Sequence, residues 1–332
     1  MINKITIVIG TAAGIVYYVY RKFYKRVIRW KPIGKIDSLV IYPLKSGRRL
    51  PIESASCTQF GLQASHSGML RDRCLVVYNE ETKAFQTARN FPKLLLIETA
   101  AHENGFTLSS PDAHPLTVVI PTLLNNHEDH VIMWNGEKVF TIDCGDVAAK
   151  WISNILLGHG FGLRIGYHDG SRKRDIRKYH DRYIKLHPKL KHSTSGMYSD
   201  LSTILLLTES SVNDVISRIP TSNISSHNFR PNIIVKGENI QPYAEDGWDR
   251  LKIGDVVLKT VMPCSRCSIT TINPETALCN ENFEPITTMK RYRKLTKYSS
   301  GLTYPNLGIY MSLEHPGNIC VGDIVYIPDT TS

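Results

Sequence analysis

Short runs of β-branched and large apolar residues recur along most of the chain, and turn residues separate them. Runs of four to eight such residues between turns are typical of strands, so the pattern predicts a β-rich fold. The predicted strands are 36–42, 74–78, 94–97 and 116–120 in the first half and 204–207, 233–235, 256–261 and 269–272 in the second.

Three segments follow a helical period instead. One has apolar residues at 147, 151, 152, 155 and 156 and should end at Gly158. A second should begin after the capping residue Thr208, and a third begins near Pro285. Two Gly-Asp turns, at Gly254 and Gly322, each lead into a β-branched strand, which favours a closed or nearly closed barrel in the second half.

The N-terminus is a candidate membrane anchor. Residues 5–20 carry no charge, and basic and aromatic residues follow at 21–26. This stretch is short against the ~20 residues that usually span a bilayer, and Arg21 and Lys22 could extend it by snorkelling. A cleavable signal peptide is the alternative, although no small-x-small site follows. The basic flank places the body in the cytosol and suits the outer mitochondrial membrane, with the endoplasmic reticulum as the alternative.

Length and composition favour two domains, or one large one, behind this anchor. The chain has 332 residues and 42% hydrophobic content, enough for a sizeable core. We expect an N-terminal anchor and basic flank at 1–31, a β-rich domain at 32–163, a basic linker at 164–192 and a second domain at 193–332.

The net charge of +10 is concentrated in two places. Residues 1–31 contain seven Lys and Arg and no acid, and residues 164–192 contain ten against three Asp. No nucleic-acid binding motif accompanies them, so we expect no nucleic-acid partner. The second stretch is either a solvated linker or a docking face for an acidic protein, and its four histidines lack metal-ligand spacing.

The most unusual stretch is Cys264-Ser265-Arg266-Cys267, which places two thiols beside a guanidinium. No second Cys-x-x-Cys supports a zinc ribbon, and a thioredoxin-like pair would open a helix, whereas a predicted strand follows here. Two interpretations stay open from these residues. They are a pair of buried structural thiols, or a thiolate that binds a soft metal beside an anion-binding arginine.

Cationic residues also stand beside predicted strands elsewhere. These are Lys45, which precedes Ser46, and Arg73 and Arg230; a hydroxyl-rich loop at 198–203 precedes another strand. Solvated turns and surface ion pairs are common alternatives. Their repetition together with Arg266 favours one shared anionic ligand.

Seven segments, in this order, carry a family resemblance. They are Tyr-Pro-Leu-Lys-Ser (42–46), Leu-Arg-Asp-Arg (70–73), Asn-Phe-Arg-Pro-Asn (228–232), Tyr-Ala-Glu-Asp-Gly-Trp (243–248), Ile-Gly-Asp-Val (253–256), Cys-Ser-Arg-Cys (264–267) and Val-Gly-Asp (321–323). From about residue 34 onward the chain resembles the mitochondrial amidoxime-reducing components, membrane-anchored molybdenum enzymes of the MOSC family. The resemblance implies a mixed α/β, β-rich fold, with a MOSC β-barrel domain packed on a MOSC N-terminal β-barrel-like domain.

The resemblance also implies a site between these domains. Cys267 would be the catalytic residue and the protein ligand to molybdenum. The molybdenum cofactor, a molybdopterin, would be held by Lys45, Ser46, Arg73, Ser202, Arg230, Ser265 and Arg266.

The implied activity is the reduction of N-hydroxylated compounds such as amidoximes, hydroxylamines and N-oxides. Electrons would come from NADH through cytochrome b5 reductase and cytochrome b5, and we expect the basic stretch at 164–192 to help dock the cytochrome. The alternative within the same superfamily is a membrane-tethered carrier of molybdenum cofactor or sulfur that has no reductase activity.

Overall fold

The computed structural model describes residues 28–65, 70–193, 195–219, 223–294 and 304–329. Most of them belong to one unit, Pro32–Ile327. Of a small second unit it describes 28–31 and 328–329, where the Asp329 N–H donates to the Arg29 carbonyl at 2.8 Å. The predicted anchor at 5–20 lies outside the described residues. Within the described ranges, every helix is too short or too polar to cross a bilayer.

The described residues form eighteen strands and four α-helices. The strands of the first half are β1 (Trp30–Ile41), β2 (Leu50–Ile52), β3 (Ser54–Thr58), β4 (Gly61–Ala64), β5 (Leu75–Asn79), β6 (Glu98–His102), β7 (Gly105–Ser110), β8 (Ala113–Val119), β9 (Glu128–Ile132), β10 (Lys138–Asp143) and β11 (Leu163–Tyr167). Those of the second half are β12 (Ile204–Thr208), β13 (Ile233–Lys236), β14 (Arg250–Ile253), β15 (Val256–Ser265), β16 (Asn306–His315), β17 (Gly317–Cys320) and β18 (Ile324–Pro328). The helices are α1 (Asp146–Leu157), α2 (Asp181–Leu186), α3 (Glu209–Ser217) and α4 (Ile286–Tyr292).

A seven-stranded barrel is the centre of the fold. Its strand order is β13-β12-β16-β15-β14-β18-β1, and an antiparallel pairing of β1 with β13 closes it. Strand β2 extends the sheet beyond β1. Strands β12 and β13 are parallel neighbours, and α3 lies in the connection between them. The barrel predicted from the sequence is confirmed.

Three smaller sheets surround it. They have the orders β5-β11-β10-β9, β17-β3-β4 and β6-β7-β8. Helix α1 packs on β11, where the Ser153 hydroxyl donates to the Leu163 carbonyl and accepts from its N–H. As predicted, α1 ends at Gly158, whose φ of 78° is left-handed, and Thr208 caps α3.

One hydrophobic core runs through the barrel and the first-half sheets. It includes Ile36 and Leu39 of β1, Val76 of β5, Ile165 of β11 and Ile309 of β16. Because β1 completes the barrel of the second half, the two halves of the chain share their largest core. The division into domains at 32–163 and 193–332 stays a prediction.

Two predicted strands are wrong. Residues 94–97 lie mostly in a 3-10 helix, Pro92–Leu96, that begins with a proline. Residues 269–272 lie mostly in a second one, Ser268–Thr271, because the buried Asn228 amide donates to the carbonyls of Thr270 and Ile272. A four-residue 3-10 turn is not the α-helix that a thioredoxin-like pair opens.

The basic stretch at 164–192 combines buried apolar residues with charges that are mostly exposed. It contains β11 at its start, then 3-10 turns and α2. Ile176, Ile184 and Leu190 are buried and form a hydrophobic cluster with Val261 and Met262 of β15. The stretch therefore contributes to the core beside the barrel.

Candidate active site

A cleft of about 410 Å³ opens beside β12, β15 and β16 and is lined further by the loops around them. All eight residues that the sequence singled out line it: Lys45, Ser46, Arg73, Ser202, Arg230, Ser265, Arg266 and Cys267. The structure thus brings them to one place from positions far apart in the chain, while their roles stay predictions.

Three of these residues have a left-handed backbone that side chains other than glycine seldom adopt. The φ angles are 66° at Ser46, 51° at Arg73 and 55° at Arg230. Each such residue costs of the order of 1–3 kcal/mol, and such strain concentrates at functional sites. The strain therefore marks this cleft as a place where side-chain position was favoured over local stability.

Arg73 is held in place by a buried carboxylate. Asp72 accepts from the Tyr42 N–H at 2.9 Å, from Asn232 Nδ2 at 3.0 Å and from Arg73 itself. Asn232 in turn donates to the Val40 carbonyl and accepts from the Leu205 N–H. This network ties β1, β12 and the turn before β13 together beneath the cleft.

Arg230 is buried without a carboxylate of its own. Its guanidinium lies 4.1 Å from the ring centre of Tyr42, and Nη2 has no hydrogen-bond partner among the described residues. Burial lowers the pKa of Arg230 to about 10. A buried cation with an unused donor is costly unless an anion joins it, so the site suits an anionic ligand.

Arg266 has a similar deficit. Its Nη1 donates to Cys264 Sγ at 2.8 Å and its Nη2 to the Phe229 carbonyl at 2.5 Å, but the buried Nε has no partner within the described part of the chain. Burial raises the pKa of Cys264, so this thiol stays neutral and does not balance the charge of Arg266. A ligand oxygen would complete the arrangement.

The two thiols of the motif lie in different surroundings. Cys264 is only 2% exposed and contacts Arg266, whereas Cys267 is partly exposed and precedes a 3-10 turn. The described residues contain no cluster of three or more His, Cys, Asp or Glu that could hold a metal ion. A metal at Cys267 would need further ligands from an organic group that carries it, and the unpaired guanidiniums suit an anionic tail of such a group.

Comparison with known proteins decides the family. Residues 193–326 match the MOSC domain, and residues 33–159 match the MOSC N-terminal beta barrel domain. Mitochondrial amidoxime-reducing component 1 of Homo sapiens is 38% identical over 297 residues, which are 89% of this chain and 83% of that protein. The chain belongs to the amidoxime-reducing component family.

Other members of the family match over similar lengths. Mitochondrial amidoxime-reducing component 1 of Mus musculus is 36% identical over 91% of this chain and 85% of its own. Mitochondrial amidoxime reducing component 2 of Homo sapiens is 35% identical over 92% of this chain and 87% of its own. Among solved structures, the YUAD protein from Bacillus subtilis covers 90% of this chain and 98% of its own, with 12% identity and a TM-score of 0.34.

Lys45 differs from the two arginines because it has a carboxylate partner. Its Nζ donates to Asp200 Oδ1 at 2.6 Å and to the Tyr198 carbonyl at 2.8 Å. Burial lowers the pKa of Lys45, and the ion pair opposes that shift. Lys45 therefore has one further proton to donate to a ligand in the cleft.

Two of the three predicted serines are already engaged as donors. Ser202 Oγ donates to the Met311 carbonyl at 2.7 Å, and Ser265 Oγ donates to Asn306 Oδ1 at 3.2 Å. The Ser202 hydroxyl also accepts from Ser193 Oγ at 3.4 Å. Ser199 is also buried in the wall, and its Oγ has no partner among the described residues.

Another part of the cleft wall was not predicted from the sequence. Trp134 lies on a tight turn before β10, its indole Nε1 donates to Asp200 Oδ1 at 2.8 Å, and Arg89 stacks on its ring at 4.6 Å. No local pattern marks this turn. Other lining residues that the sequence analysis did not select are Thr87, Asn135, His180, Tyr183, Leu201, Asn232, Tyr304 and Tyr310.

Proposed function

We propose that this protein is a molybdenum-cofactor-dependent reductase of N-hydroxylated compounds, namely amidoximes, hydroxylamines and N-oxides. The observation that carries the proposal is one cleft that holds the Cys267 thiol together with buried guanidinium nitrogens that lack partners in the described chain. Membership of the amidoxime-reducing component family supports the reaction class.

The donor set fits the cofactor. Cys267 would hold the metal, and Arg73, Arg230 and Arg266, with Lys45, would bind the pterin and its phosphate. Ser46, Ser202 and Ser265 would add neutral contacts. When bound, the cofactor supplies the two-electron chemistry that cleaves an N–O bond.

The protein residues orient the reactants and exclude water. Arg73 is fixed through Asp72, and Arg266 through the Phe229 carbonyl, so both guanidiniums are preorganised. Trp134 and Tyr183 contribute an apolar wall beside the opening of the cleft.

Electrons would reach the site from NADH through cytochrome b5 reductase and cytochrome b5. The relatives' names include the word mitochondrial, which supports that compartment. Residues 5–20 would anchor the chain in the outer mitochondrial membrane with the body in the cytosol, and the endoplasmic reticulum is the alternative. On the basic stretch, the exposed Lys173 and Lys178 are available for an acidic cytochrome, whereas Arg172 and Arg177 are paired with Glu128 and Asp175.

The decisive experiment compares the wild type with Cys267→Ala. We expect the variant to lose molybdenum and benzamidoxime reduction, and to keep its circular dichroism and unfolding midpoint because it removes one partly exposed thiol. Cys279→Ala, at an exposed thiol outside the cleft, is the matched control and should retain both.

Two results would redirect the proposal. Full activity in Cys267→Ala would remove this thiol from the reaction. Bound cofactor in a wild type that reduces none of the three substrate classes would favour the carrier function.

A further inference from the structure

Asp200 stands out because its charge is opposite to that of its surroundings. Of the described residues that line the cleft, five are Lys or Arg and only Asp200 is a carboxylate. A carboxylate inside a site for an anionic group weakens the binding of that group. Its presence therefore calls for a role of its own.

The two oxygens of Asp200 are used unequally. Oδ1 accepts both from Lys45 Nζ at 2.6 Å and from Trp134 Nε1 at 2.8 Å. No described residue donates a hydrogen bond to Oδ2, and the side chain is 47% exposed within the cleft wall. One oxygen is thus fixed by the protein while the other is presented to a ligand.

The charge and orientation of this carboxylate are both secured. Desolvation opposes ionisation, but Lys45 and the Trp134 indole N–H keep the pKa of Asp200 well below its usual range. The Trp134 ring is itself held by the edge of Phe85 at 4.5 Å and by the Arg89 guanidinium above it. Oδ2 is therefore a preorganised, permanently charged acceptor beside an aromatic face.

We propose that Asp200 determines substrate specificity by accepting hydrogen bonds from N–H and O–H donors of the substrate. This inference rests on the proposed function and deepens it. Amidoximes and hydroxylamines carry such donors, whereas tertiary-amine N-oxides carry none. A site that offers a charged acceptor favours ligands that can donate to it.

The same carboxylate recognises the product of amidoxime reduction. An amidoxime takes up two electrons and two protons, its N–O bond breaks, and an amidine and water result. The amidine is a cation at neutral pH and has N–H donors that match a carboxylate. Asp200 therefore binds amidines in the cleft, including in protein that lacks the cofactor.

Substrate selectivity gives the first test. The ratio of kcat/KM for benzamidoxime to that for N,N-dimethylaniline N-oxide is measured in the wild type, in Asp200→Asn and in the exposed control Asp181→Asn. Because each ratio is taken within one preparation, cofactor loading cancels. In Asp200→Asn the amide oxygen stays with Lys45 and its NH2 group faces the cleft. The ratio should fall about tenfold or more, since hydrogen bonds to charged groups are worth about 1.5–3 kcal/mol, while Asp181→Asn leaves it unchanged.

Binding gives the second test and does not depend on turnover. Calorimetry with benzamidine on the full chain, purified without cofactor, should show binding to the wild type and to Asp181→Asn, and about tenfold or more weaker binding to Asp200→Asn. Trp134→Phe keeps the carboxylate and Lys45 but removes one donor to Oδ1, so it should weaken binding about twofold to fivefold. If Asp200→Asn does not fold, Trp134→Phe still tests whether benzamidine binding depends on Asp200.

The outcomes separate this inference from the proposed function. An unchanged substrate ratio, or benzamidine binding that is absent or equal in the wild type and Asp200→Asn, overturns the role of Asp200. A wild type that reduces neither compound overturns the proposed function, whereas benzamidine binding that depends on Asp200 in the same protein supports the carboxylate site.

Discussion

Two groups of basic residues in this molecule have opposite electrostatic environments. In the stretch 164–192, most arginines have carboxylate partners. Arg164 contacts Asp143, Glu80 and Asp146, and Arg174 forms a paired contact with the buried Glu137. In the cleft, Arg230 and Arg266 are buried, yet each has an unused nitrogen within the described structure.

The comparison shows that partners, rather than charge, distinguish structural from functional cations. Its carboxylate partners raise the pKa of Arg164, whereas burial lowers that of Arg230. The first group stabilises the fold by itself. The second is complete only when a ligand supplies the anion.

The largest effect on stability is expected at Arg174. Its side chain is 3% exposed, donates to Glu137 with two nitrogens and also donates to the carbonyls of Ser195, Met197 and Ser199. Arg174→Met should lower the free energy of unfolding by about 3–5 kcal/mol, because Glu137 loses its main partner. Urea unfolding measures this. Arg177→Met, which breaks an exposed pair with Asp175, is the control and should cost less than about 1 kcal/mol. Equal losses would contradict the comparison.

Acid stability gives the next largest effect, through His168 in the same stretch. The imidazole is 1% exposed among Phe60, Phe140 and Tyr198, and burial lowers its pKa to about 4. Between pH 6.5 and 4 the unfolded chain binds a proton that the folded chain does not. Lowering the pH through this range therefore reduces the free energy of unfolding by about 3 kcal/mol through this residue. His168→Phe should remove that part of the acid dependence in urea unfolding at pH 7 and pH 4.5. If the difference in unfolding free energy between pH 7 and pH 4.5 is the same in His168→Phe as in the wild type, His168 binds its proton as readily in the folded chain as in the unfolded one.

Arg230 tests the other side of the comparison. Arg230→Met should leave the unfolding free energy of the cofactor-free protein unchanged or raise it, because a buried charge without a carboxylate partner is costly. Molybdenum and pterin content should nevertheless fall sharply. A loss of stability as large as that in Arg174→Met would mean that Arg230 supports the fold on its own.

The smallest effect is expected at Lys173. It is exposed, and no described residue forms a salt bridge with it, whereas Arg174 is buried and cannot serve a docking face. Lys173→Glu should leave stability unchanged within about 0.5 kcal/mol. It should slow reduction by cytochrome b5 and alter its salt dependence, but spare turnover with a small artificial donor. Unchanged kinetics with the cytochrome at low salt would exclude this surface from docking.

The sequence pattern placed Lys45, Arg73 and Arg230 beside predicted strands, and the repetition of these cations favoured one shared anionic ligand. The resemblance to the family, rather than the local pattern, selected Cys267 and the serines. The structure brings all of these residues to one cleft, and their roles stay predictions. Trp134 and Asp200 were out of reach because their contact joins residues 66 positions apart and leaves no periodic trace. The hydrophobic pattern of a sequence can locate the end of a strand, but it cannot predict which distant turn packs against that end.

The wrong strand at 269–272 has a similar origin. Its β-branched residues have a high strand propensity, but Asn228 caps the carbonyls of Thr270 and Ile272 from 42 and 44 residues away. That tertiary contact satisfies backbone groups that a neighbouring strand would otherwise need. Likewise, the charges of 164–192 suggested solvation because their partners, such as Glu137 and Asp143, lie earlier in the chain.

The closure of the barrel by β1 bears on how the protein is made. Strand β1 leaves the ribosome early, but its neighbours β13 and β18 are among the later segments to be translated. Apart from its short pairing with β2, the backbone edges of β1 stay unpaired through most of synthesis, a condition that invites aggregation or chaperone binding. The barrel, and the cleft at its edge, can form only once nearly the whole polypeptide has emerged.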